Sequence, residues 1–157
     1  MRPETLWWLS CRLHRRRLTP AARLLKALNF LLFHAVLPYE CDVPRDVTLW
    51  HHGLGTVVHP NTRIGHNVKI GHNVTITAGS QSRGSALAVV LGDGVVVGTG
   101  ALVRPRRGHR LLVGDGAQIG AHAVVVRDVP PGAVMVPPVA HMRSGIVAEA
   151  PVETESP

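Results

Sequence analysis

The sequence predicts an all-β repeat fold, a parallel β-helix of hexapeptide units, preceded by a short helical segment. Three observations carry this. Aliphatic residues recur every six positions: Val58, Ile64, Ile70 and Ile76, then Leu91, Val97 and Val103, then Val113, Ile119 and Val125. Glycine follows many of them, as at Gly65, Gly71, Gly92, Gly98, Gly114 and Gly120. The chain is 45% hydrophobic but only 4% aromatic, which suits a narrow interior that takes Val, Ile and Leu and has little room for rings. A period of six is neither the period of about 3.6 of a helix nor the period of 2 of a simple strand. It suits a short strand and a tight turn, with the aliphatic inward and the glycine easing the corner. Three such units make one triangular coil, and stacked coils bury a continuous column.

Residues 1–37 read as a helical segment. Leu6, Leu9 and Leu13 recur at helical spacing, as do Leu24, Leu25, Leu28, Leu31 and Leu32. Thr19-Pro20 marks a break, with Thr19 as N-cap and Pro20 opening the second helix. Pro38 ends the segment. The first helix carries Arg12, Arg15, Arg16 and Arg17, so it either caps the terminal coil or makes a peripheral contact with an anionic membrane surface.

Residues 38–143 form the β-helix domain, with the repeat itself spanning 42–129. Two insertions interrupt it. One is glycine- and serine-rich, between Ile76 and Leu91. The other, Arg104-Pro-Arg-Arg-Gly-His-Arg110, lengthens the gap from Val103 to Val113 to ten. Insertions on a solenoid project outward and often build a binding face. Val129-Pro-Pro-Gly-Ala133 is expected to close the repeat, and residues 144–157, acidic and proline-containing, to form a disordered tail.

The net charge is +7, nearly all from arginine, since Lys26 and Lys69 are the only lysines. No aromatic residues alternate with the arginine clusters, so a stacking nucleic-acid surface is not expected. Cys11 and Cys41 lie outside the repeat and form no metal or redox motif, which fits thiols in a reducing compartment. No signal peptide is visible, and the apolar run Leu24–Leu37 is short and interrupted. The expected location is cytoplasmic.

The segment Trp50-His51-His52-Gly53-Leu54-Gly55 stands out. His51 lies two residues past the inward Leu49, and counting back from Val58 the spacing fits one extra residue. A histidine exposed at such a bulge suits a general base, although two surface histidines in a loop would look the same. His59, His66 and His72 raise the question of a metal. His66 and His72 are six apart, so they fall on different faces of one coil and cannot meet within a subunit; a pair across a subunit boundary stays open, and no metal is expected.

The stretch His51-His-Gly-Leu-Gly-Thr-Val-Val-His-Pro60, followed by Asn61-Thr-Arg-Ile-Gly-His-Asn-Val-Lys-Ile-Gly-His-Asn-Val-Thr-Ile76, resembles the serine O-acetyltransferases of the hexapeptide-repeat superfamily. The segment Gly120–Ala133 resembles that superfamily's closing coils. The resemblance covers roughly Pro38 to Arg143. It implies a left-handed parallel β-helix, a homotrimer, and acetyl-CoA as acyl donor in a groove between subunits. The family's catalytic histidine falls at His51 by the upstream register and at His52 by the downstream one, with His51 favoured. The groove residues match Gly79, Thr99, Gln118 and Ala121. Arg106 and Arg107 are candidates for the phosphates of acetyl-CoA.

Several positions depart from the family pattern. The acid that orients the histidine falls near Val36, and Asp42 and Glu40 have the wrong spacing. The second histidine and the adjacent arginine that help hold serine fall at Ala88 and Leu87. Three readings follow: a serine O-acetyltransferase, an O-acetyltransferase acting on a sugar or polysaccharide intermediate, and a non-catalytic trimer.

Overall fold

The structure is a computed structural model, and it describes residues 2–78 and 87–138. Two helices, α1 (Pro3–Arg15) and α2 (Thr19–Phe33), form a hairpin ahead of the β-helix. Strand β1 (Thr48–Leu49) opens the solenoid. The next coil holds β2 (Val57–Val58), β3 (Thr62–Ile64) and β4 (Lys69–Ile70). The following two coils hold β5 (Thr75–Ile76), β6 (Val89–Leu91) and β7 (Val96–Val97), then β8 (Leu102–Val103), β9 (Leu111–Val113) and β10 (Gln118–Ile119). Strands β11 (Val124–Val125) and β12 (Val134–Met135) belong to the last coil.

All these strands pair in parallel and make three faces. The first face is β2-β5-β8-β11, the second β3-β6-β9 and the third β1-β4-β7-β10-β12. The register stacks the six-spaced aliphatics in columns: Val58, Ile76, Val103 and Val125; Ile64, Leu91 and Val113; Leu49, Ile70, Val97 and Ile119. All are buried, and each contributes about 1.5–3 kcal/mol by leaving water.

The corners refine the expected role of glycine. At seven corners the third residue takes the left-handed conformation, whether Asn67, Asn73 and His122 or Gly94, Gly100, Gly116 and Gly132. The glycine directly after the inward aliphatic has a different task, close approach between coils. A Cβ at Gly71 would lie 2.6 Å from the backbone nitrogen of Thr99.

Helix α1 packs on the first coil. It buries Leu6, Trp7 and Cys11, and Trp7 Nε1 donates to the carbonyl of Pro38 at 2.8 Å. Capping therefore accounts for the apolar stripe of α1. The second helix starts differently from expectation: Leu18 is the N-cap, and Thr19 is already helical and makes no capping bond. The repeat also runs past Val129. Pro130–Ala133 makes an ordinary corner, with Gly132 at φ 68°, and β12 pairs with β10. Both cysteines are buried, and burial pushes the Cys11 thiol up to about 12. Among the described residues no helix is long and apolar enough to cross a membrane. Most of the glycine- and serine-rich insertion and the expected disordered tail lie outside the described residues.

Candidate functional site

The corner between the third and first faces gathers the histidines. Its first turn is irregular. Leu49 pairs with Ile70, twenty-one residues on, whereas Val58 pairs with Ile76, eighteen on. The corner thus holds three extra residues, where the spacing suggested one. The lengthened corner takes the short 3₁₀ turn Trp50–Gly53. Inside it His51 (φ 52°, ψ 39°) and His52 (φ 58°, ψ 21°) are successive left-handed residues. Side chains other than glycine avoid this region, at about 1–3 kcal/mol each, and such strain concentrates at functional sites.

The coils on either side hold the bulge in place. Gly55 N–H donates to the carbonyl of His34 at 3.2 Å, Asn73 N–H to that of Leu54 at 2.8 Å, and Thr56 Oγ1 to that of Gly71 at 3.1 Å. Gly55 also has a positive φ, and a Cβ there would collide with Asn73 Oδ1.

Both histidine side chains are exposed, with different neighbours. The His51 ring meets the edge of His72 on the next coil, centroids 4.8 Å apart at 86°. His72 Nδ1 in turn lies 3.3 Å from Thr99 Oγ1, one coil further, in hydrogen-bonding geometry. The His52 ring stacks on Phe33 of α2 at 5.8 Å. His51 is therefore held in a polar chain and His52 against an apolar ring.

The same corner continues upward. Gly71 lies against Thr99, Gly98 against Ala121, and the His122 ring over Gly100. Thr99 and Ala121 thus share the corner with His51, and Gln118 is exposed on β10 beside it. Gly79 lies outside the described residues. Arg106 and Arg107 are exposed on the corner between the first and second faces, one face away from His51. There Arg106, Arg110, Arg127 and Asp128 line a cavity of about 200 Å³.

The positions that depart from the family pattern are structurally plain. Val36 bridges to Val57, and Asp42 pairs with Arg15 and Arg63 at 3.6 and 3.5 Å on the second face. Neither supplies an acid to His51. Ala88 is wholly buried, and Leu87 is exposed. His72, weighed in the sequence as a metal ligand, is the neighbour that spacing alone missed; the signal was its place one lengthened coil above His51.

The other candidate features carry less chemistry. His66 lies on the corner between the second and third faces, 3.0 Å from Asp46. A cavity of about 520 Å³ on the second face is lined by Trp8, Arg15, Asp42, Arg63 and His66, whose charged groups pair with one another or with Asp46. Among the described residues no group of three or more His, Cys, Asp or Glu could hold a metal ion.

Comparison with known proteins places the chain in a family. No family profile matches the chain. The serine acetyltransferase of Helicobacter pylori is 35% identical over 124 residues, covering 79% of this chain and 69% of that protein. The chain belongs to the serine acetyltransferase family. The serine acetyltransferase of Mycobacterium tuberculosis is 39% identical over 85 residues, which cover 54% of this chain and 35% of that protein. The crystal structure of Neisseria gonorrhoeae serine acetyltransferase in complex with serine superposes with a TM-score of 0.72 at 27% identity, over 87% of this chain and 54% of that one. The chain thus spans about half the length of the solved chain it matches. Its solenoid is the left-handed parallel β-helix of hexapeptide-repeat transferases.

Proposed function

We propose that this chain transfers the acetyl group of acetyl-CoA to the hydroxyl of serine or a similar small acceptor. The observation that carries the reading is the strained His51-His52 turn on one corner with His72, Thr99 and Ala121, in a chain whose relatives are serine acetyltransferases. His51 takes the proton from the acceptor hydroxyl as its oxygen attacks the thioester carbon. His72, tethered by Thr99, positions the His51 ring, which neither Val36 nor Asp42 supplies with an acid. Backbone N–H groups along the corner stabilise the oxyanion, each worth about 2.7–4 kcal/mol in comparable sites. The tetrahedral intermediate collapses with loss of the CoA thiolate, a good leaving group because a thiol pKa lies near ~8.5. The product is the acetyl ester, and the proton on His51 returns to thiolate or solvent.

Thr99, Gln118 and Ala121 would line the donor groove. The corner is open in one subunit, which supports a homotrimer in which a neighbour closes it. Arg106 and Arg107, a face away from their own histidines, would then reach acetyl-CoA phosphates in the neighbouring groove. Residues 1–37 would serve as a helical cap, residues 38–143 as the acyltransferase domain, and the arginine-rich N-terminal segment as a peripheral membrane contact in the cytoplasm.

The acceptor has a second reading. Ala88 is buried and Leu87 apolar at the positions where the family holds serine, which favours a sugar or polysaccharide hydroxyl. Thiol release from acetyl-CoA, measured with serine, homoserine and a set of sugars, separates the two readings. Release with serine alone supports the first and release with sugars alone the second. No release with any acceptor would leave a non-catalytic trimer. Changing Arg106 and Arg107 to Ala should raise KM for acetyl-CoA, most at low salt; an unchanged KM would assign the loop another task.

A further inference from the structure

Helix α2 is apolar nearly all round, yet only one side of it is covered. Ala22 and Asn29 are buried in the hairpin, and Asn29 Nδ2 donates to the carbonyl of Pro3 at 3.0 Å. On the opposite side Leu24 and Leu31 are 69% and 70% exposed, flanked by Phe30 at 52% and Leu32 at 53%. Leu18, just before the helix, is exposed as well. A helix apolar on every side normally belongs in a protein core or in lipid. This one has a bare stripe beside a cavity of about 390 Å³ lined by Arg23, Lys26, Ala27, Phe30 and Tyr39.

The charge around the stripe says what covers it. From Thr5 to Tyr39 there is no aspartate or glutamate, and there are six cations: Arg12, Arg15, Arg16, Arg17, Arg23 and Lys26. Four of them lie between Arg12 and Arg17, immediately ahead of the stripe. Arg15 is paired with Asp42 and Arg12 lies over Trp8, so a second copy docked through the same face would set Arg16, Arg17, Arg23 and Lys26 against their own kind. An anionic lipid surface attracts each cation near it and dissolves the leucines below.

We propose that α2 and the arginines ahead of it dock on an anionic bilayer, with α2 lying in the plane of the interface. The fifteen residues of α2 are too few to cross it. This deepens the membrane contact proposed above and moves it from α1, whose apolar side is spent on the β-helix, to α2. It does not depend on acetyl transfer.

The test is co-sedimentation of the full chain with vesicles of phosphatidylcholine alone or mixed with phosphatidylglycerol. The wild type should partition to the anionic vesicles and much less to the neutral ones, with the difference shrinking at high salt. Leu24→Glu with Leu31→Glu should lower partitioning about 10-fold or more, and Arg16→Glu with Arg17→Glu should abolish the preference for anionic lipid. Because these side chains are exposed, thermal melting and vesicle-free thiol release should match wild type, so a failed membrane reading is distinguishable from a failed catalytic one. The proposal is overturned if the wild type ignores anionic vesicles, or if the leucine variant partitions as well as wild type. It is overturned too if the leucine changes lower the light-scattering mass of a wild type that binds no vesicles, which would make the stripe an interface between copies.

Discussion

Two successive corners of this β-helix are built from the same four residues. Gly65-His66-Asn67-Val68 turns from the second face to the third, and Gly71-His72-Asn73-Val74 turns from the third to the first. Each asparagine takes the left-handed conformation, at φ 54° and 55°. Each glycine lies too near the next coil to carry a side chain, and each valine is wholly buried. The histidines nevertheless have different surroundings. The His66 ring has Asp46 at 3.0 Å, and Asp93 Oδ1 accepts the backbone N–H of His66 at 2.7 Å. His72 has His51 on one side and Thr99 on the other. The tetrapeptide dictates the turn, and the stacked coils dictate the chemistry. An acidic corner makes its histidine an ion-pair partner, while the histidine corner sets its own against His51, where the proposed mechanism uses it as a positioning residue.

The largest effect should come from the strained turn. His51→Ala removes the proposed base and should lower kcat by about 10²–10⁴ with little change in KM for acetyl-CoA. His52→Ala should cost much less, because the His52 ring rests on Phe33. Steady-state thiol release checks both, and a reversed pair of results would move the base to His52.

Next comes the scaffold that the two corners share. Gly71→Ala would set a Cβ 2.6 Å from Thr99 N, and Gly65→Ala would set one 2.6 Å from the carbonyl carbon of Gly92. Both contacts are with backbone and cannot be relieved by a rotamer change. Each variant should lose about 1–3 kcal/mol, read as a lowered Tm. Similar losses at both corners would confirm that the turns are equivalent as structure, and a wild-type Tm at either would deny the close approach.

The smallest effect separates the corners by pH. The hydrogen bond and the charge of Asp46 raise the His66 pKa above its ordinary 6.5. The stabilisation is therefore fully present below about 6.5 and is lost as pH rises through the folded-state value. Asp46→Asn should lower Tm at acid pH and converge on wild type at alkaline pH. Because His66 is fully exposed the difference should be slight. A gap that widened with pH would contradict the pairing.

The inward columns were legible in sequence because the rule behind them is local: one aliphatic every six residues, whatever lies between coils. The neighbours across coils were not legible. Leu49 to Ile70 spans twenty-one residues, Ile70 to Val97 twenty-seven and Val97 to Ile119 twenty-two, since each insertion lengthens its coil differently. A period of six therefore could not show that His72 stands against His51. The bulge was visible as a break in spacing, but its length was read as one residue when the register holds three. The end of the repeat was misplaced at Val129–Ala133, since a turn whose third residue is glycine carries the chain through the two prolines to β12. The exposed side of α2 was hidden because leucine spacing marks a helix without saying which side is covered.

The comparison between the corners is tested most directly by one pair of variants assayed together, His72→Ala and His66→Ala, with kcat, KM for acetyl-CoA and the pH–rate profile measured for each. His72→Ala should lower kcat about 10-fold or more and shift the profile while leaving KM unchanged, with partial rescue in His72→Asn. His66→Ala should leave kcat, KM and the profile as in wild type. Equal losses at both histidines, or no loss at His72, would contradict the account.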